Sequence, residues 1–175
     1  MDFERFKKIV RPGDLIFYRP KNKLYIGSWF IAWAQNVIGK SPIHDRSYCH
    51  VALVDWDENY LLESRWPKSR RWKIKWEKLN KHYHIEVYRI RKVTSQERNA
   101  ALKWAYDHLG EWYDLGLFVW GMFDFKNAEV CSTFVAKAWK AAGKIFEVHK
   151  KLQPDADFHS PDELVANIDL IKRVI

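Results

Sequence analysis

The distribution of apolar and polar residues predicts strands in the middle of the chain and helices around them. Short apolar or alternating runs bounded by turn residues are typical of strands. Such runs cover residues 14–18, a hairpin that runs from residue 50 through a turn at 57–59 to residue 63, and residues 71–76 and 85–91. In the stretch 71–76, "RWKIKW", basic and apolar side chains alternate, so this strand is expected to have one solvated basic face.

Capping residues mark where helices are expected to begin and end. Thr94 and Glu97 have the spacing of a capping box, ahead of a helix that runs to Leu109 and stops at Gly110. Further helices are predicted over residues 28–38, from 131 to 143, and from 160 onward. A small antiparallel sheet is thus inserted between helices, which predicts an α+β fold. Because no linker or repeat divides the chain, residues 1–175 are expected to form one domain.

Cys131 opens one of these predicted helices and has two interpretations. Helical spacing puts it on one face with five apolar residues, at positions 134, 135, 138, 139 and 142. A first-turn position places the sulfur near unpaired backbone N–H groups and the positive end of the helix dipole, which favours a thiolate. The same N–H groups can hold an oxyanion. Alternatively, Cys131 is a small buried side chain, because free cysteines are among the most buried residues.

A nucleophilic thiol needs a base, and His50 is the best placed of the seven histidines. It opens an apolar strand on which His50, Ala52 and Val54 share one face. The small side chain of Ala52 is expected to leave room there for a facing helix. A histidine in this position is otherwise an ordinary hydrogen-bonded core residue.

Glu63 is the candidate for a third group. If the turn leaves Asp55 opposite Tyr60, then Ala52 faces Glu63, which lies diagonal to His50 on the same face. A register shift of two residues also keeps Glu63 on that face, whereas a shift of one moves it to the other. From there Glu63 can accept the imidazole N–H and fix its tautomer. The alternative is a solvated strand carboxylate.

The composition indicates an anionic partner without naming one. The chain has 30 Lys and Arg against 22 Asp and Glu, a net charge of +8, which attracts phospholipid headgroups, acidic wall polymers or nucleic acid. Its ten tryptophans either enlarge the core or lie partly exposed in a groove or at an interface. No apolar run is long enough to span a bilayer, so any membrane contact is expected to be peripheral.

The cysteine count and the first residues bear on the compartment. Cys49 and Cys131 cannot make a disulfide framework, and "MDFERFKKIV" lacks the apolar run of a signal peptide. A cytoplasmic protein is therefore expected. If it is encoded by a phage, the enzyme would instead be released when the host cell lyses.

Six short motifs occur in a specific order: "PGDLIF", "SYCHVALV", "LLES", "GEWYDLG", "EVCSTFVAKAW" and "SPDEL". Together, from about residue 13 to residue 164, they resemble the permuted NlpC/P60 superfamily of papain-like cysteine hydrolases, in particular its YiiX/YebB-like branch. The resemblance implies a circularly permuted papain-like fold, in which a small antiparallel sheet or barrel packs against the cysteine helix. It also implies Cys131 as nucleophile, His50 as general base, Glu63 as the residue that orients it, and Tyr113 as a residue of the cleft.

The resulting prediction is hydrolysis of an amide or related acyl bond through a thioester acyl-enzyme. Trp29, Trp33 and Tyr113 are the candidate substrate-binding residues. The expected substrate is an anionic peptide or glycopeptide derived from the cell wall, or an acyl lipid. A lipid-directed acyltransferase or thioesterase, and a non-catalytic binding module for anionic polymers or membranes, are the alternatives.

Other chemistry is disfavoured by the sequence. His44, Cys49 and His50, or His82 and His84, do not have the spacing of zinc ligands, so no metal or cofactor is predicted. Aromatic and basic residues interleave in "RRWKIKWEKLNKHYH", but a strand with a solvated basic face explains them as well as nucleic-acid binding does. Cys49 should face away from His50, and a redox link between Cys49 and Cys131 is the remaining alternative.

Overall fold

A computed structural model describes residues 3–21, 48–113, 130–146, 161–167 and 170–175. The helices in these ranges are α1 (Phe3–Ile9), α2 (Trp76–His82), α3 (Ser95–Asp107), α4 (Cys131–Ala141) and α5 (Pro161–Ala166). The strands are β1 (Leu15–Pro20), β2 (His50–Val54), β3 (Tyr60–Arg65), β4 (Lys68–Lys73), β5 (Tyr83–Ile90) and β6 (Ile171–Arg173). The helix predicted over residues 28–38 lies outside the described residues. Within them, no helix is long and apolar enough to cross a membrane.

The strands described here form one sheet in the order β4-β3-β2-β1-β5-β6, and neighbouring strands are antiparallel. Leu53 of β2 pairs with Leu62 of β3, which is the register that has Asp55 opposite Tyr60, one of the alternatives left open by the sequence. This register places Glu63 on the same face of the sheet as His50. The predicted α+β fold with an antiparallel sheet is therefore confirmed.

Each face of the sheet has its own core. On the first face, Val51 and Leu53 of β2 pack with Phe134 and Trp139 of α4, and α3 packs beside α4. The strand residues that alternate with these point to the second face and pack against α1 and α2. They include Ile16, Ala52, Val54 and Leu61. The expectation that Ala52 leaves room for the cysteine helix is wrong: Ala52 lies in the second core, and α4 covers the other face, where its apolar residues pack with Val51, Leu53 and Leu62.

The strand predicted over residues 71–76 ends earlier than expected. β4 stops at Lys73, and Trp76 is instead the first residue of α2. Ile74 and Trp76 are both buried, as the alternation predicts, but Trp76 reaches the second core from a helix and packs 4.7 Å from the ring of Phe6. The alternation of apolar and basic residues over these six positions does not show that the backbone changes from strand to helix.

The capping signals predicted helices more accurately. Thr94 and Glu97 form the expected capping box, in which each side chain bonds to the other residue's backbone N–H. Gly110 follows α3 with a φ of +92°, a conformation that glycine adopts without steric cost. The stripe that begins at Cys131 is buried along α4.

Candidate active site

Cys131 is the first residue of α4, and its neighbours favour the thiolate. Val130 precedes it with extended backbone, so the helix begins at the cysteine itself. Burial raises the pKa of the Cys131 thiol, but the His50 ring and the backbone N–H groups of Val51 and Ser132 lower it, and the net pKa lies below the ordinary value. A cationic ring and backbone donors stabilise negative charge on sulfur, which is the setting of a reactive cysteine.

The thiol reaches the sheet where β2 and β3 separate. These strands pair at Leu53 with Leu62 and at Val54 with Leu61, whereas β3 continues to pair with β4 as far as Arg65. Alternate residues of an antiparallel strand direct their N–H groups to opposite neighbours. The Val54 N–H points to Asp14, before β1, so the Val51 N–H points toward the β3 side. There it bonds to the Cys131 sulfur. The sulfur thus takes the place of a strand partner.

This position explains how Cys131 meets His50. By alternation, His50 belongs to the second face of the sheet, whereas α4 covers the first. Because the sulfur lies at the sheet's end rather than above one face, the His50 side chain can reach it there. The two side chains are hydrogen-bonded.

Glu63 holds the other side of the His50 ring. Its Oε2 lies 2.8 Å from Nε2 of His50, which leaves Nδ1 as the ring nitrogen for the thiol. Burial lowers the pKa of His50, but the Cys131 and Glu63 side chains raise it more, to about 9. Burial raises the pKa of Glu63, whereas the bonds to His50 and Arg70 lower it, to about 2. The arrangement therefore favours a thiolate, an imidazolium and a carboxylate in one row.

Arg70 is a part of this row that was not predicted from the sequence. Its Nε and Nη2 lie 2.9 and 2.8 Å from Oε1 of Glu63, so both carboxylate oxygens are engaged. The two residues face each other across β3 and β4, which are joined by the turn at Trp66-Pro67. A two-residue turn at Trp66-Pro67 pairs residue 65 with residue 68 and therefore Glu63 with Arg70, so the sequence could have predicted this contact if the turn had been recognised.

Tyr18 covers the His50 ring from β1. The two rings are 5.3 Å apart and tilted by 32°. Tyr18 is buried, and burial together with the nearby Glu63 raises the pKa of its phenol well above the ordinary value. Within the described part of the chain, its hydroxyl has no hydrogen-bond partner. No motif in the sequence singled out Tyr18, because its contact with His50 depends on the pairing of β1 with β2.

The other predicted residues are placed as follows. Tyr113 is half-buried, and its backbone N–H donates to the carbonyl of Pro67, at the turn between β3 and β4. Trp29 and Trp33 lie outside the described residues. Cys49 is buried in the second core, on the face to which alternation assigns His50, so the prediction that it faces away from His50 is wrong. Cys49 precedes the first residue of β2, and both its N–H and its thiol donate to the Tyr18 carbonyl, so regular alternation does not extend to it. Cys49 and Cys131 are not joined by a disulfide, and they lie in different cores.

Comparison with known proteins identifies the family and the fold of the chain. The model of a family described as "Permuted papain-like amidase enzyme, YaeF/YiiX, C92 family" matches residues 10–167. The crystal structure described as metalloprotein yiiX from Escherichia coli O157:H7 superposes with a TM-score of 0.56 at 16% identity, covering 95% of this chain and 89% of that one. No curated protein matches this chain. A structural likeness at this identity shows a shared fold.

That neighbour is described as a metalloprotein, and metal sites in proteins are built mainly from His, Cys, Asp and Glu side chains. Within the described ranges, no group of three or more His, Cys, Asp or Glu side chains is arranged to hold a metal ion. Cys131, His50 and Glu63 do not form such a group, because the imidazole stands between the thiol and the carboxylate. These three residues fit proton transfer along a row.

Proposed function

Because the chain belongs to the permuted papain-like amidases of the YaeF/YiiX type, the C92 family, we propose that Cys131, His50 and Glu63 are the catalytic triad of an amidase. This membership and the shared fold confirm the resemblance to the YiiX branch. The observation that carries the proposal is the contact of the His50 ring with both the Cys131 thiol and, at 2.8 Å, the Glu63 carboxylate.

In the proposed reaction, the Cys131 thiolate attacks the carbonyl carbon of an amide and forms a C–S bond. The carbonyl oxygen becomes an oxyanion, which the backbone N–H of Cys131 is placed to stabilise at the beginning of α4. When the intermediate collapses, the C–N bond breaks, and the His50 imidazolium gives its proton to the departing amine. An acyl thioester remains on Cys131.

Deacylation uses the same residues, but His50 now accepts a proton where it donated one during acylation. Neutral His50 takes a proton from water, the hydroxyl adds to the thioester carbonyl, and the C–S bond breaks to release a carboxylic acid and the thiolate. Glu63 keeps Nδ1 of His50 directed at the sulfur and stabilises the imidazolium in both halves of the reaction. Arg70 supports this role, because it holds Glu63 in place and favours its ionised form.

Two kinds of acyl donor suit the basic surface of the chain: an anionic wall-derived peptide or glycopeptide, and an acyl lipid. Release of the acyl group to water would make the protein an amidase or thioesterase, and release to another acceptor would make it an acyltransferase. A protein that binds these compounds without forming a thioester would be a binding module.

The test is incubation with wall-peptide fragments and with acyl lipids, followed by product analysis and by intact-protein mass measurement after an acid quench. We expect new carboxylate products and an acyl adduct on Cys131 in the wild type. The matched variants are Cys131→Ser, which should show neither product nor thioester, and Cys49→Ser, which should behave as the wild type does. Turnover by Cys131→Ser would refute the proposal, and so would binding with neither product nor adduct.

A further inference from the structure

The turn between β3 and β4 lies at the same end of the sheet as the candidate active site. β2 begins at His50 and β3 runs antiparallel to it, ending at Arg65. Glu63 is two residues from that end, which corresponds to about 7 Å along a strand. Whatever binds at the turn therefore comes close to the reactive thiol.

Two tryptophans at this turn are far more exposed than is usual for their type. Trp66 and Trp112 each have 63% of their surface exposed. Tryptophan is highly buried on average, because it is energetically unfavourable to leave a ring of this size in water. We call residues 65–68 together with Trp112 the tryptophan turn.

Backbone hydrogen bonds hold the two parts of the tryptophan turn together. Lys68 and Trp112 form an antiparallel bridge, the N–H of Ser69 donates to the carbonyl of Glu111, and the N–H of Tyr113 donates to the carbonyl of Pro67. The rings are thus presented by paired backbone, which lowers the entropy cost of binding a partner.

The charge at the tryptophan turn is mostly positive. Arg65 and Lys68 flank Trp66 and Pro67, and all four residues are exposed, although the Arg65 side chain hydrogen-bonds to Tyr83. The Nζ of Lys68 lies 4.4 Å from the centre of the Trp112 ring. Glu111 is a half-buried acid beside them, and the whole chain carries a net charge of +8. Exposed tryptophans among cations are typical of surfaces that lie in the headgroup region of an anionic bilayer.

We infer that the tryptophan turn docks the protein on an anionic lipid bilayer, with the two indole rings in the headgroup region and Lys68 on a lipid phosphate. Docking of this kind presents the end of the sheet that carries His50 and Cys131 to the membrane surface. The inference concerns binding and does not depend on the proposed catalysis.

Vesicle co-sedimentation tests the inference. We expect the wild type to bind vesicles of equal parts phosphatidylglycerol and phosphatidylcholine, to bind vesicles of phosphatidylcholine alone weakly, and to lose binding as NaCl is added. The double variant Trp66→Ala, Trp112→Ala should lower the partition coefficient about tenfold or more. Lys68→Glu, which leaves both rings in place, should lower binding to the anionic vesicles alone.

Trp56→Ala is the matched control, because Trp56 is 45% exposed but lies at the turn between β2 and β3, at the opposite end of the sheet. It should bind as the wild type does. Cys131→Ser should also keep full binding, which separates this inference from the proposed activity. Thermal unfolding of each variant checks that the fold is intact.

Three outcomes would overturn the inference. The first is equal binding by the wild type and both tryptophan-turn variants. The second is binding of soluble anionic wall polymer, but not of vesicles, with loss of that binding in the double variant. The third is a wild-type dimer in light scattering that the double variant converts to a monomer without any change in vesicle binding.

Discussion

The backbone N–H of Val51 donates to the sulfur of Cys131, at the point where β2 has separated from β3. A strand N–H that would otherwise continue a ladder thus stabilises a thiolate at the first residue of a helix. This contact places the sulfur beside the next side chain along β2, that of His50. The chemistry of the site therefore depends on how the sheet opens as much as on which residues are present.

The reactivity of Cys131 should depend on His50. Because the pKa of Cys131 is lowered by the His50 ring, iodoacetamide should label it rapidly at about pH 6.5, where an ordinary thiol is almost wholly protonated. His50→Ala should slow labelling about tenfold or more. Peptide-resolved mass spectrometry measures the rate, and Cys49, buried in the other core, is the internal control. Equal rates in both proteins would show that His50 does not activate the thiol.

His50 should stay protonated well above neutral pH. Its pKa of about 9 means that the imidazolium persists up to about pH 9. In Glu63→Gln the carboxylate that favours the cation is gone, so the pKa should fall. ¹⁵N NMR of the ring nitrogens measures both values, with His50→Ala to assign the signal. A His50 signal that titrates near pH 6.5 in the wild type would contradict the ion-pair description of the site.

Arg70 should act through Glu63. Arg70→Met leaves a buried carboxylate with one partner fewer, so the free energy of unfolding should fall by about 1–3 kcal/mol, and Arg70→Lys should recover part of the loss. Lys73→Met, an exposed change on the same strand, is the matched control. Because the bonds from Arg70 lower the pKa of Glu63, removal of Arg70 should raise that pKa, and an unchanged pKa of Glu63 would show that Arg70 does not act through it.

Stability should fall in acid because of Glu63. Its pKa in the folded protein, about 2, is lower than the ordinary 4.5, so the unfolded chain binds the proton more tightly. The stabilisation is complete above pH 4.5 and is lost as the pH falls through about 2, a change on the order of 3 kcal/mol. Denaturant unfolding from pH 6 to 2 should show this loss in the wild type and a smaller one in Glu63→Gln. Parallel curves for the two proteins would exclude Glu63 as its source.

Two glycines allow strain and packing to be separated. Gly13 and Gly110 have φ values of +82° and +92°, so alanine is strained at both, at a cost of about 1–2 kcal/mol. At Gly13 an added Cβ would also lie 3.1 Å from Cγ of Arg98 and from the Trp139 ring, whereas at Gly110 it meets nothing within 4 Å. Gly13→Ala should therefore destabilise the protein by about 1–3 kcal/mol more than Gly110→Ala does. Equal losses in thermal or denaturant unfolding would mean that the Trp139 ring simply moves aside.

Local patterns accounted for several features of the site. The helical spacing from Cys131 predicted the buried stripe of α4. Strand alternation predicted that Glu63 shares the face of His50 if Asp55 lies opposite Tyr60, and the structure has that register. Thr94 and Glu97 predicted the beginning of α3. Each of these depends on residues close together in the sequence, where hydrogen bonding and side-chain period are fixed by the backbone itself.

The same local reasoning failed where two elements compete for one space. The small side chain of Ala52 predicts that it lies under the cysteine helix, but α4 packs on the face of Val51 and Leu53. The alternation through Trp76 predicts a strand, whereas Trp76 begins a helix that packs on α1. The fit of whole apolar surfaces decides which face of a sheet a helix covers. Strand alternation divides the residues between two faces but does not show which face the helix packs on.

The sequence by itself determined strands β1, β2, β3 and β5, helices α3 to α5, the position of Cys131 at the beginning of a helix, and the shared face of His50 and Glu63. Only the tertiary structure decided that the sulfur meets His50 at the open end of the sheet, that Arg70 fixes Glu63, and that Tyr18 covers the ring. The reason is physical: periodicity and capping act over a few residues of backbone. The contact between residues 50 and 131 is instead set by the packing of an entire helix against a sheet that separates beneath it.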